Sequence, residues 1–209
     1  MDWALAAAFA GVSMLFVLTP GVDWAYAIAS GVRDRSGVLP AVSGMLAGHL
    51  LATLVVSAGV AAALAASETA MTVLTVAGAL FLLWLGIKAL TRPVAPEPEC
   101  EDVPAGTGRL LARGVGISLL NPKVLLLFLA LLPQFVSTGA SWGAGAQMVA
   151  LGVVHVANCA LVYLAVGYGA SAVLARRPRA ARVVVIASGA AMIVLGAALI
   201  GESILDRLT

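Results

Sequence analysis

The sequence predicts an all-α integral membrane protein of six transmembrane helices, arranged as two inverted three-helix halves with helices one and four broken at Pro20 and Pro122. Three observations carry this reading. Charged residues are only 11% of the chain, against roughly 25% in soluble domains. The hydrophobic fraction is 62% and the mean hydropathy +1.06. Charge is absent from long stretches, Trp3 to Val22, Val38 to Ser67 and Val124 to Ala175, and is collected between them.

Spans of roughly 20 residues allow six or seven helices in 209 residues and leave no room for a soluble domain. The chain is therefore expected to be one transmembrane unit: a first half 1–91, a cytoplasmic linker 92–113 and a second half 114–209. The net charge of +2 belongs to loops, so no nucleic-acid partner is expected and membrane lipid is. Cys100 and Cys159 stand alone in different settings, so neither a disulfide scaffold nor a metal site is indicated.

The acidic start, Met1-Asp2, and an apolar run continuing past Pro20 argue for a retained helix over Trp3–Ala29 rather than a cleaved signal peptide. Gly31–Gly37, with Arg33, Asp34 and Arg35, is the first loop. The second helix lies within Val38–Ser67. Its Gly44 and Gly48 form a small-xxx-small pattern that lets helices approach closely, within one chain or between two copies, which leaves a homo-oligomer open. The third runs over about Thr69–Leu90, with Trp84 and Lys88 as interfacial anchors. Arg92 to Arg113, with four prolines and Glu97, Glu99, Glu101 and Asp102, joins the halves.

The fourth span is expected over Gly114–Pro133 and a turn over Gln134–Gly143. The fifth covers about Gly145–Leu164, extended to Tyr168, and the sixth Val183–Gly201. Ten of the twelve basic residues fall in loops one-two, three-four and five-six; the opposite side holds Arg207, and Lys123 lies within the membrane. The positive-inside rule then puts both termini outside.

That orientation makes the halves antiparallel in outline. Pro20 and Pro122 each fall eight residues from an expected cytoplasmic boundary, near Ile28 and Gly114, or roughly 12 Å deep at 1.5 Å per residue. Broken helices at matching places in inverted halves are the layout of secondary transporters. Each proline removes a backbone donor and disturbs the carbonyl four residues earlier. The carbonyls of Phe16 and Ser118 are thus expected to be open to a ligand.

Asp23 and Lys123 are the costly residues, since a lone charge in an apolar span costs several kcal/mol as an order of magnitude. Two readings stay open: contact with an amino-acid substrate's ammonium and carboxylate, or pairing with each other. For Asp23, solvation near the interface is a third. His49 and His155 are the groups with unperturbed pKa near neutrality, and each is read either as a proton-coupling group or as hydrogen-bonded structure.

Thr19-Pro20-Gly21, Gly78 to Lys88, and Leu120-Asn121-Pro122-Lys123 through Leu131-Leu132-Pro133-Gln134-Phe135 resemble the LysE/RhtB amino-acid exporter family in order and spacing over nearly the full length. The resemblance implies export of amino acids or related compounds, such as lysine, arginine, homoserine, threonine or leucine, from the bacterial cytoplasm. It implies a multi-pass inner-membrane location and drive by the proton or membrane-potential gradient. Pro20, Gly21, Asn121, Pro122 and Lys123 would carry the family's motifs. Many members continue the first motif as Pro-Gly-Pro-Asn, where this chain has Pro20-Gly21-Val22-Asp23. Many also carry an acidic residue in the fifth helix, where this chain has His155 and Asn158.

The expectation is a secondary active exporter, not an enzyme, working without cofactor or metal on a small amino-acid-like substrate with protons as candidate coupling ion. The alternatives are another small-solute transporter or channel, or a non-transporting membrane subunit. A membrane redox or group-transfer enzyme would want a ligand-spaced His pair or a nucleophile beside a base.

Overall fold

The computed structural model describes residues 1–66, 68–91 and 106–169, with scattered positions between 183 and 201. Six positions of the expected sixth span (184, 185, 188, 191, 195 and 199), the linker as far as residue 105 with Cys100, and the basic residues Arg92, Arg176, Arg177, Arg179, Arg182 and Arg207 lie outside the described residues, and the described positions of that span are helical. The described residues form helices and no strand, in the order α1 (Trp3–Leu18), α2 (Val22–Arg33), α3 (Val38–Ala66), α4 (Glu68–Thr91), α5 (Thr107–Leu119), α6 (Pro122–Leu131) and α7 (Ala144–Gly169), with short 3-10 turns at Arg35–Gly37 and Pro133–Phe135.

Arg35–Val60 and Ala144–Gly169 are each long and apolar enough to cross a membrane. Two further pairs pass the same test as bent spans: α1 with α2, bent by 60°, and α5 with the segment Pro122–Phe135, bent by 50°. The described residues thus give two candidate spans, or four when each bent pair is one.

Two expected boundaries move. The first loop is shorter than Gly31–Gly37, because α2 runs on to Arg33. Asp34 then turns the chain: its carboxylate accepts from Ser36 N–H at 3.0 Å and from Ser36 Oγ at 2.5 Å, and those bonds hold its carboxyl below the ordinary carboxylate range. The fourth helix begins at Thr107, not Gly114, so Arg109 and Arg113 belong to a helix rather than to the linker. With 12 residues in α2 and 13 in α5, each bend lies roughly 18–20 Å from the basic end, deeper than the 12 Å expected from sequence.

Burial is inverted with respect to a soluble protein. Leu50, Leu51, Leu54 and Val55 of α3 and Val153 and Leu161 of α7 face outward, whereas Ser13, His49, Thr53, Ser57, Ser118, Gln147 and His155 are buried. Polar groups turned inward and large aliphatics turned outward are what a lipid solvent demands. One core gathers Phe9, Phe16, Val56, Leu127, Phe128, Leu131 and Met148; a second gathers Val17, Trp24, Tyr26, Val42, Met45, Val162 and Tyr163.

Close helix approach uses glycine. A Cβ on Gly44 would run into the backbone of Leu111, one on Gly48 would stand 2.7 Å from the Val115 carbonyl oxygen, and one on Gly114 would stand 2.5 Å from that of Ala41. The α3–α5 contact is therefore backbone on backbone. At the basic end Tyr26 donates its hydroxyl to the Leu110 carbonyl at 2.8 Å, Arg113 lies over the Tyr26 ring at 5.8 Å and Arg35 over that of Tyr168 at 5.5 Å.

Gly44→Ala is expected to destabilise the detergent-solubilised protein by about 1–3 kcal/mol, the usual cost of overpacking, read as a lowered midpoint in thermal unfolding. Gly11→Ala, which meets nothing within 4 Å, is expected to leave the midpoint unchanged or raise it slightly. Equal effects from both substitutions would contradict the packing described.

Candidate functional site

The bend between α1 and α2 leaves the last carbonyls of α1 without helical donors, and their new partners build the site. Thr19 donates its hydroxyl to the Leu15 carbonyl at 3.1 Å. Trp24 reaches back from α2 and donates its indole N–H to the Val17 carbonyl at 2.8 Å. The Phe16 carbonyl accepts from the Thr19 N–H at 3.1 Å and from the Lys123 ammonium at 3.1 Å. The Thr19 carbonyl accepts from the same ammonium at 2.7 Å.

Lys123 therefore crosses from α6 to sit on the C-terminal end of α1, where the helix dipole favours a cation. Its Nζ also lies 4.7 Å from the centroid of the Phe16 ring, whose π-face adds a third attraction. Only partial burial is imposed on it. Gly21 leaves the space beside it open: a Cβ there would stand 3.9 Å from Lys123 Cδ and Nζ. Gly21 also precedes α2 without capping it through a side chain.

Asp23 sits in the first turn of α2 and is 3% exposed. Ser118 donates its hydroxyl to one carboxylate oxygen at 2.6 Å, and Asn121 donates its side-chain amide to the other at 2.7 Å. Burial and two short donors exclude the solvated reading. No ion pair joins Asp23 to Lys123 among the described residues; each charge is satisfied by the opposite bend.

Asn121 has two tasks. Its Oδ1 accepts from the Lys123 N–H at 3.0 Å and so caps α6, while its Nδ2 holds Asp23. Pro122 follows at the first helical position, where a missing N–H costs nothing. The Ser118 carbonyl, expected to be free, accepts from the Asn121 N–H at 3.3 Å. The Phe16 carbonyl is likewise taken, by Lys123. Both expectations overlooked that a chain turning through 50–60° brings new donors to the carbonyls it uncovers.

His49 and His155, far apart in sequence, face each other with ring centroids 5.4 Å apart. His49 donates Nδ1–H to the Met45 carbonyl at 2.8 Å. His155 Nδ1 is 2.8 Å from Ser13 Oγ and its Nε2 is 3.3 Å from Cys159 Sγ. Asn158 donates to Ser13 Oγ at 3.1 Å and to the Ala10 carbonyl at 3.0 Å.

Sequence reasoning missed Ser13, the Ser118 hydroxyl on Asp23 and the seating of Lys123 on the Phe16 and Thr19 carbonyls. A serine in an apolar helix is a weak signal because it often bonds its own backbone. Gly44 and Gly48 lie outside the charged junction, on the face of α3 that meets α5.

Helices with aliphatic outer faces, buried ionisable groups and two bent pairs locked across a charged junction are built, among the described residues, as an integral membrane protein. The chain belongs to the LysE type translocator family, whose model matches residues 14–203. It is 30% identical over 174 residues to an uncharacterized membrane protein of Vibrio cholerae serotype O1, covering 82% of each chain. It is 28% identical over 131 residues to a leucine efflux protein of Klebsiella pneumoniae, covering 61% of each. It is 28% identical over 125 residues to a homoserine/homoserine lactone efflux protein of Salmonella typhimurium, covering 59% of this chain and 61% of the relative. No solved structure matches the chain.

Asp23→Asn is expected to change stability little, because Asn still accepts from Asn121 and the Ser118 hydroxyl can rotate to accept. Asp23→Ala strands two buried donors and is expected to cost about 1–3 kcal/mol. Asn121→Asp, which sets a second carboxylate against Asp23, is expected to lower the thermal midpoint well below wild type. Combining it with Asp23→Asn should recover most of the loss, and absence of that recovery would rule out the pairing.

Proposed function

We propose that this chain is a secondary active exporter of an amino acid or a close derivative across the bacterial inner membrane. The observation that carries the reading is the seat of Lys123. The protein holds its own ammonium on the Phe16 and Thr19 carbonyls, in a place built for a cation at the end of a broken helix. The membership in the LysE type translocator family and relatives named for efflux of leucine and of homoserine or its lactone support the same class.

In this mechanism the substrate's α-ammonium replaces that of Lys123 on the α1 carbonyls. The released Lys123, together with the first N–H groups of α2 that no side chain caps, receives the substrate's carboxylate. A helix N-terminus favours an anion through its unpaired N–H groups and its dipole. The exchange conserves the number of charge-assisted hydrogen bonds, so substrate entry need not expose an unpaired buried charge. Asp23, held by Ser118 and Asn121, fixes the two bends to each other. Pro20, Gly21, Asn121, Pro122 and Lys123 are thus the transport residues, with Asp23 as their tie.

In this reading six spans form two inverted halves, 1–91 and a second half that begins with α5 at Thr107, and the junction lies between moving parts. Alternating access follows from rocking one half against the other. The clustering of Arg33, Arg35, Arg109 and Arg113 at one end supports a cytoplasmic assignment for that end, with both termini outside. The His49–His155 pair is the candidate proton relay.

Lys123→Ala, verified as membrane-inserted, is expected to abolish efflux from substrate-loaded cells; unchanged efflux would remove Lys123 from the site. Counterflow in proteoliposomes across a panel of amino acids, with and without a proton gradient, tests the class directly, and no exchange of any member would count against it. For coupling, His49→Gln and His155→Gln are expected to flatten the pH profile of transport. A profile identical to wild type in both variants excludes them as proton carriers.

A further inference from the structure

We propose that His49, His155 and Cys159 form a buried binding site for a soft monovalent metal cation, Cu(I), between α3 and α7. The site takes the two histidines that the export reading uses as its candidate proton relay, but it rests on their geometry with Cys159 and not on that role.

The three side chains offer ligand atoms that all lie within 4.8 Å of one another. His49 and Cys159 are 0% exposed and His155 2%. His155 and Cys159 stand four apart on α7, on one face, with Nε2 and Sγ already 3.3 Å apart. Across from them, His49 Nε2 is buried with no hydrogen-bond partner. A buried imidazole nitrogen left without a partner has a desolvation cost that folding does not recover. Its other nitrogen, bonded to the Met45 carbonyl, must carry the proton, so Nε2 holds a lone pair and acts only as an acceptor or ligand.

Metal-binding histidines are normally fixed by a hydrogen bond from the ring nitrogen that does not bind the metal. Both have one here. His49 Nδ1–H is held by the Met45 carbonyl. His155 Nδ1 meets Ser13 Oγ at 2.8 Å, and in the tautomer that donates to Ser13 its Nε2 lone pair faces Cys159. Asn158 in turn steadies Ser13 through the 3.1 Å bond. The Phe128 ring packs edge-on to His155 at 5.0 Å and the Tyr163 ring lies 6.0 Å from that of His49, closing the group from water.

The donor set selects the ion. Thiolate and imidazole suit soft or borderline metals. The site holds one thiol and no carboxylate. Binding converts the Cys159 thiol to a thiolate and releases one proton, so Cu(I) gives a complex of zero net charge, whereas a divalent ion leaves +1 in an apolar interior where charge is costly. Taking the about 2.0–2.3 Å bonds of a comparable d10 ion to nitrogen and sulfur, trigonal ligand atoms stand roughly 3.5–4 Å apart. Small side-chain rotations close the present gap.

The test is anaerobic titration of Cu(I), buffered by a chromogenic Cu(I) chelator, into the purified full-length chain carrying Cys100→Ser, which removes the second thiol. The expected result is one Cu(I) per chain, with X-ray absorption showing one sulfur and two nitrogen neighbours. Added Cys159→Ser should abolish the sulfur neighbour, and His49→Gln should leave a two-coordinate ion; each should weaken binding by more than the roughly 10–100-fold that losing a supporting hydrogen bond costs. Ser13→Ala keeps all three ligands and should weaken binding within that range. No stoichiometric Cu(I) in the monodisperse Cys100→Ser protein overturns the site. So does unchanged affinity in both His49→Gln and Cys159→Ser, or tighter retention of Zn(II) than of Cu(I).

Discussion

The reciprocal grip of two bent helices is the constraint on which the rest of the structure depends. The α5–α6 side sends an ammonium onto the open carbonyls of α1. It also sends a hydroxyl and an amide to the carboxylate that begins α2. Neither bend is self-sufficient in an apolar surrounding, because a chain that leaves helical geometry uncovers backbone groups that lipid cannot satisfy. Each bend supplies what the other lacks.

This division also explains why Asp23 and Lys123 need not touch. A direct buried ion pair gains Coulomb energy but must offset two desolvation costs, and it holds only while both partners stay in place. Distributing the charges over neutral donors and acceptors gives each several short hydrogen bonds and leaves Lys123 partly accessible beside Gly21. A cation seat occupied by a flexible side chain is exchangeable in a way that a closed ion pair is not. The close α3–α5 contact through Gly44, Gly48 and Gly114 sets the distance at which this grip can form.

The buried group around His49, His155 and Cys159 follows a different logic. Here polarity is concentrated in side chains whose outer hydrogen bonds fix their ring orientation, and one inward nitrogen remains unspent. Ser13 on α1 and Met45 on α3 orient rings that meet at α7. Three helices thus converge on a polar cluster walled by Phe128 and Tyr163.

The sequence by itself determined the class of protein, the helical runs and the residues worth asking about. Apolar runs of the length of a bilayer leave little choice of secondary structure, which is why Val38–Ala66 and Ala144–Gly169 were legible almost to the residue. The motif around Asn121-Pro122-Lys123 was legible because an ammonium in such a run is expensive. Tertiary structure alone decided what those residues do. Whether Asp23 is solvated, paired or bridged depends on which donors a bend of 50–60° brings within 3 Å, and on Ser118 lying on the facing helix. The start of α5 at Thr107 was hidden because arginines and glycines read as loop, although Leu110 and Leu111 pack there against α2 and α3. His49, His155 and Cys159 looked isolated because residues on different helices become neighbours only through packing, and packing is a three-dimensional property that spacing along one chain does not encode.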